Sequence, residues 1–157
     1  IARHMLDSLT IVPIVRGPNL LDIGSGAGLP GLLVAVARPD LEICLLDRHQ
    51  RKTRFLRLAA RAMGLTNVEV VCKNLSEALY LGPFSALSAR GVGSASTLWE
   101  SANHLITPEG CLIVMQRTQD QDNIALEIPG TACSSRWVEI PGLDRAHEIV
   151  TVERLAG

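Results

Sequence analysis

Residues 19–31 read NLLDIGSGAGLPG: a short apolar run ending in an acid, followed by four glycines within eight residues. Glycine loses more backbone freedom on folding than any other residue, so such a cluster signals a sharp turn, left-handed backbone or a ligand pressed against the main chain. The run before it reads as a buried strand, which puts the glycines at that strand's carboxyl end. The rest of the chain is asked to supply the sheet that this strand belongs to.

Further apolar runs follow at LEICLLD (41–47), VEVVCK (68–73), FSALSA (84–89) and CLIVMQ (111–116). Their near-continuous apolar character suits parallel strands covered on both faces. Helical patterns lie between them, over 30–38, 49–63 and 94–106, with a short turn near 76–81. Pro30 suits a first-turn position, and MGLTN (63–67) ends the second helix with a glycine. Two more strands are expected near 135–140 and 147–154; residues 118–134 have no clear assignment. Alternating strands and helices predict an α/β, doubly wound sheet with ligands at the carboxyl ends of its strands, beside the first.

Composition narrows the field. With 157 residues, 47% of them hydrophobic, the chain suits a single domain with its own core. A net charge of -1 gives no global attraction for a polyanion, so any nucleic acid would need a local basic patch. The four cysteines (44, 72, 111 and 133) form no CxxC pair, which argues against zinc or any other metal site and for a reducing, cytoplasmic setting. No apolar run is long enough for a membrane span. The opening IARHMLDSL reads as the middle of a helix, so a preceding N-terminal helical segment is expected.

The glycines alternate at 24, 26 and 28, unlike the G-x-G-x-x-G dinucleotide pattern, and Asp22 precedes them. An aspartate there would repel a pyrophosphate and suit a cationic ligand. S-adenosylmethionine carries an ammonium and a sulfonium, and its carboxylate can take backbone N–H groups. Asp47, at the end of the next strand, can accept both hydroxyls of an adenosine ribose. The plainer alternative is a tight turn with Asp47 as a helix cap. The acid–glycine–acid combination favours the cofactor site.

Beyond this point the chain resembles a known family. RHMLDSL (3–9), LLDIGSGAGLPG (20–31), LLDRHQRKTRFLR (45–57) and ARGVGSASTLWE (89–100) are similar to segments of the bacterial small-subunit ribosomal RNA guanine-N7 methyltransferases, RsmG or GidB. The resemblance implies a class I (Rossmann-like) fold with a mostly parallel seven-stranded sheet and S-adenosylmethionine as cofactor. It also implies methyl transfer to N7 of a guanine in 16S ribosomal RNA, on the small ribosomal subunit, by a monomer. Asp22, Gly24, Ser25, Gly26, Gly28 and Leu29 would then form the methionine end of the cofactor site, with Asp47 and Arg48 at the ribose. Leu75, Ser76 and Glu77 would line the adenine. Arg90 would sit by cofactor and guanine as the catalytic anchor, braced by His4, Asp7 and Ser8. The chain departs from the family pattern at Ala89, where a serine is usual, at Gln116 in place of a lysine, and at Ala146 before His147, with Arg145 one place early. These departures keep open a small-molecule methyltransferase, or a cofactor-binding relative without ribosomal RNA activity.

The second helix carries Arg48, Arg51, Lys52, Arg54, Arg57 and Arg61 without an intervening acid. Phe55, Leu58, Ala59 and Ala62 are expected as its core-facing stripe. The cations are either a solvated face or an RNA phosphate track. His49, His104 and His147 read as structural or surface residues, and no arrangement for covalent catalysis is visible.

Overall fold

The computed structural model describes residues 2–117, 127–143 and 146–156. Seven strands form one sheet in the order β3-β2-β1-β4-β5-β7-β6. They are β1 (Asn19–Ile23), β2 (Glu42–Asp47), β3 (Val68–Cys72), β4 (Phe84–Arg90), β5 (Ile106–Arg117), β6 (Thr131–Val138) and β7 (His147–Arg154). The first five run parallel; β7 is antiparallel to both β5 and β6. The order reverses between β1 and β4, so a crevice opens at the carboxyl ends of those two strands.

Successive side chains of a strand face opposite sides, and the core divides accordingly. Leu20, Ile43, Leu45 and Ile113 pack under α2 (Gly31–Ala37) and α3 (Gln50–Ala62), through Leu32, Val34, Leu56 and Ala60. Leu21, Leu46, Leu87 and Leu112 face the other way, toward Leu98, Trp99 and Ala102 of α4 (Ala95–Ala102). A first helix, α1 (Ala2–Leu9), lies against α2. β1, β2 and β4 are buried along nearly their whole length because helices cover both faces, which is why they read as apolar runs; the edge strand β3 is half-buried, with Glu69 exposed.

Several boundaries depart from expectation. β5 begins at Ile106, well ahead of Cys111, and its pairing with β4 shifts between Phe84 and Ala86. Gly110 permits that irregularity: a Cβ there would lie 2.8 Å from the Ser85 carbonyl oxygen. The helix expected to run to 106 stops at Ala102 and tightens into a 3-10 turn over Asn103–Leu105. β6 starts at Thr131, inside the stretch that lacked an assignment, whose residues 118–126 lie outside the described ones.

The core-facing stripe of α3 requires correction. Thr53, Leu56 and Ala60 are buried, whereas Phe55 and Leu58 are 52% and 62% exposed and Ala62 is exposed too. Both sets have helical spacing. Thr53 can occupy the buried side because its hydroxyl donates to the Gln50 carbonyl, leaving no unpaired polar group there. The glycine end of α3 is as expected: Gly64 is left-handed (φ 66), and the Leu65 amide reaches back to the Ala60 carbonyl.

Candidate functional site

The glycine loop joins β1 to α2 at the crevice. Gly24, Gly26 and Gly28 have φ of 67, 51 and 91°, whereas no non-glycine residue among those described has positive φ. The alternating glycines are thus alternating left-handed residues, and the spacing follows from the backbone path. The loop is tied to β2: the amides of Gly24 and Ser25 both donate to the Leu46 carbonyl, at 2.8 and 3.0 Å. The Gly28 amide closes a turn on the Ser25 carbonyl. Above Gly26 the space is open, since a Cβ there would meet nothing nearer than the Gly24 carbonyl at 3.7 Å.

Two carboxylates hold this loop from opposite sides. Asp22 is 1% exposed and turned beneath it. Its Oδ1 accepts from the Ser88 hydroxyl at 2.8 Å, and its Oδ2 accepts from the Gly31 amide at 3.1 Å. Burial pushes its pKa up to about 6, against the opposing effect of these hydrogen bonds. Asp47 sits at the tip of β2. Its Oδ2 accepts from the Gly26 amide at 3.0 Å, and its Oδ1 accepts from the His49 amide at 2.9 Å and faces His49 Nδ1 at 3.1 Å. Burial alone would raise this carboxyl, but the His49 and Gly26 amides outweigh it and hold the pKa below the ordinary value. The His49 side chain is half exposed.

The remaining cofactor candidates gather around the same edge. Ser25 is buried and donates its hydroxyl to the Asp22 carbonyl, while Leu29 is half-buried in the loop. Arg48 is exposed just after Asp47. Beyond β3 the chain makes a 3-10 turn over Leu75–Glu77, in which Leu75 is half-buried and Ser76 and Glu77 are exposed. The Lys73 amide donates to the Asp47 carbonyl, which draws this turn toward the tip of β2.

Arg90 ends β4 on the far side of the crevice, and α1 holds it. Its guanidinium donates to the His4 carbonyl, His4 Nδ1 and the Ser8 hydroxyl, and lies 3.7 Å from Asp7 Oδ2. His4, Asp7, Ser8 and Arg90 therefore do come together. His147 joins them from β7. His147, taken as structural or surface, is only 8% exposed and belongs to this cluster. Its Nδ1 lies 3.3 Å from Asp7 Oδ1, and its Nε2 lies 3.0 Å from the Thr10 hydroxyl. Nδ1 has no aligned hydrogen-bond partner among the described residues. Burial lowers the His147 pKa; Asp7 raises it and Arg90 lowers it further. Ser88 was missed as well, although a serine inside the apolar run FSALSA was a usable signal. Gln116 is half-buried near the end of β5, and Arg145 lies outside the described residues.

The donor set fits S-adenosylmethionine. Left-handed glycines leave bare backbone open above Gly26, and Asp47 accepts two backbone N–H groups with capacity for further donors. The half-exposed His49 ring can yield to a ribose hydroxyl.

Comparison with known proteins gives the family and the fold. The family described as "GidB: rRNA small subunit methyltransferase G" matches residues 1–146. The ribosomal RNA small subunit methyltransferase G of Chromobacterium violaceum is 36% identical over 152 residues, covering 96% of this chain and 73% of that protein. Among solved structures, a protein from Agrobacterium tumefaciens described as a predicted O-methyltransferase is similar with a TM-score of 0.74 at 21% identity, covering 98% of this chain and 80% of that one. A variant of MtNAS in complex with S-adenosylmethionine has a TM-score of 0.71 at 13% identity, covering 98% and 61%.

Proposed function

This chain belongs to the rRNA small subunit methyltransferase G family, and from that premise we propose that it transfers a methyl group from S-adenosylmethionine to N7 of a guanine in 16S ribosomal RNA. The observation that carries the reading is the bare, left-handed glycine loop pinned between Asp22 and Asp47 at the point where strand order reverses. Asp47 would hold the ribose hydroxyls. The loop amides would receive the methionine end, and Leu75, Ser76 and Glu77 would flank the adenine. Asp22 contributes by fixing the loop from below and by placing a negative charge under a cationic ligand. When bound, the cofactor supplies an electrophilic methyl on a sulfonium.

Guanine N7 carries a lone pair and no proton, so its methylation needs no general base. The protein's task is alignment of two reactants. The base gains positive charge as it is methylated, so a bare cation beside N7 would oppose the reaction. Arg90 instead suits the guanine O6 or a phosphate as an anchor, with Asp7 offsetting its charge behind. The same reading has the protein act as a monomer in the cytoplasm, on the small ribosomal subunit.

The test is to map N7-methylguanine in 16S ribosomal RNA from cells with and without the full-length protein. One modified guanine should disappear in its absence; an unchanged map sinks the proposal. Gln116 and Ala146, where the family has cations, favour a second reading in which the acceptor is a small molecule. Under it, labelled methyl would appear in metabolites and not in RNA.

A further inference from the structure

The outer face of α3 is chemically unlike the rest of the surface. Six of the 15 Lys and Arg lie between residues 48 and 61, with no carboxylate among them, in a chain of net charge -1. All six are exposed. Elsewhere Arg16 pairs with Glu153 and the half-buried Arg38 with Asp40, while Arg136 is a single exposed arginine on β6 rather than part of a run. Among the described residues, no carboxylate lies within ion-pair distance of Arg51, Arg54 or Arg61. An ordinary solvated helix intersperses acids with its bases, at i and i+4, and this one does not.

The correction to the packing of α3 adds a second element. Phe55 points outward, one turn from Arg51 and next to Arg54 in sequence, and is 52% exposed. An exposed aromatic among unpaired arginines matches the composition of surfaces that track a nucleic-acid backbone and stack a base. Position agrees as well. The helix begins three residues after Asp47, at the crevice, and its 13 residues span about 20 Å. The stripe therefore starts where the reaction is placed and runs away along the flank of the sheet.

We propose that the outer face of α3, through Arg51, Arg54 and Arg61 with Phe55 between, docks the backbone of the substrate RNA beside the methylated guanine. The proposal rests on the ribosomal RNA reading above. It assigns RNA affinity to this helix and leaves the chemistry at the crevice.

The experiment compares the full-length protein with its Arg51→Ala/Arg54→Ala/Arg61→Ala variant, using naked 16S ribosomal RNA and assembled small subunits. All three side chains are exposed, so the variant should fold, as circular dichroism would check. Expected are a tenfold or greater rise in the RNA KM at physiological salt and an unchanged kcat at saturating RNA. Cofactor affinity should not change. The slope of log affinity against log salt should fall by about two, at roughly 0.7 per lost phosphate contact. Phe55→Ala should weaken RNA binding severalfold and leave the salt slope alone. Unchanged RNA KM and salt slope in the triple variant would overturn the proposal. So would a loss confined to assembled subunits with naked RNA unaffected, which would assign the face to a ribosomal protein. If the wild-type protein shows the salt-dependent RNA binding and the variant loses it, but neither transfers methyl to RNA, the docking surface stands and the assigned function fails.

Discussion

The two sides of the crevice are built by different means. On the β1–β2 side, the glycine loop is held mainly by main-chain groups: the Gly24, Ser25, Gly26 and Gly31 amides, met by the Leu46 carbonyl and two carboxylates. Every partner lies within about 25 residues. On the β4–β7 side, Arg90 is held by α1, whose Asp7 also meets His147 from the far end of the chain, with Thr10 on His147 across 137 residues. A backbone cradle tolerates little steric change and should fail through stability and cofactor binding. A side-chain cluster should fail through turnover and its pH dependence, with the fold intact.

The largest effect expected of the cradle comes from Gly31→Ala. A Cβ there would stand 2.3 Å from Leu45 Cδ2 and 2.5 Å from Asp22 Oδ2, both deep in the core. Neither can retreat freely, and the intrusion would displace the Gly31 amide from Asp22. A loss of about 3 kcal/mol is expected, with a fall in Tm of roughly 6–12 °C in a domain of this size. Calorimetric unfolding checks it. A Tm within a degree or two of wild type would show that the loop is softer than its packing indicates.

Arg90→Ala should act on the other side alone. Methyl transfer to 16S ribosomal RNA should fall by about a hundredfold, the scale of a lost charged anchor. Cofactor affinity by titration calorimetry should stay within a few-fold, and Tm should change little. Unchanged turnover would remove Arg90 from the site; lost cofactor affinity would erase the distinction between the two sides.

This division also explains what could be read from the sequence. Alternating glycines, Asp22 and Asp47 were legible because a left-handed turn and a strand tip are local properties, written into neighbouring residues. The central parallel strands β1, β2 and β4 were legible for the same reason: each buries both faces and so reads as an apolar run. His147 was not legible, because its meaning depends on β7 returning antiparallel beside β5 and bringing it under α1. Nor was the inward face of α3. Phe55-Leu58-Ala62 and Thr53-Leu56-Ala60 are both helical stripes, and hydrophobicity favours the first. The sheet buried the second, with Thr53 satisfied internally. Leu75–Glu77 and Arg90 came from family resemblance, since nothing in a short turn or a lone arginine marks a function.

Asp47→Ala sharpens the comparison from the cradle side with a smaller effect. It removes the acceptor for the Gly26 amide together with the proposed ribose partner. Cofactor binding should weaken by about 1–3 kcal/mol, roughly ten- to a hundredfold. His49→Ala, which removes only the half-exposed ring facing the same carboxylate, should leave affinity within a few-fold. Equal losses in the two variants would mean that His49 itself holds the ligand.

The smallest effect separates the two sides by sign. Asp22 holds its proton more tightly in the native state than when unfolded, with its pKa raised from 3.8 to about 6. Its contribution to stability is therefore present at low pH and is lost as pH rises through that window. His147 is the reverse: its native pKa lies below 6.5, so its contribution is full above pH 6.5 and is lost as pH falls below it. Protonated His147 would also compete with Arg90 for Asp7, which sits between them. Lowering the pH below 6.5 should then slow methyl transfer severalfold through the β4–β7 side, while the cradle does not lose stability through Asp22. His147→Gln keeps a polar side chain near Thr10 and Asp7 but cannot titrate. It should make the acid limb of the kcat/KM profile shallower, the remainder coming from loss of the Asp22 charge near its pKa of about 6, and leave cofactor affinity at neutral pH unchanged. An acid limb of the same steepness in the variant would show that Asp7 and Arg90 keep their geometry whatever the charge on His147, and that the cluster, like the loop, is held rigidly by its surroundings.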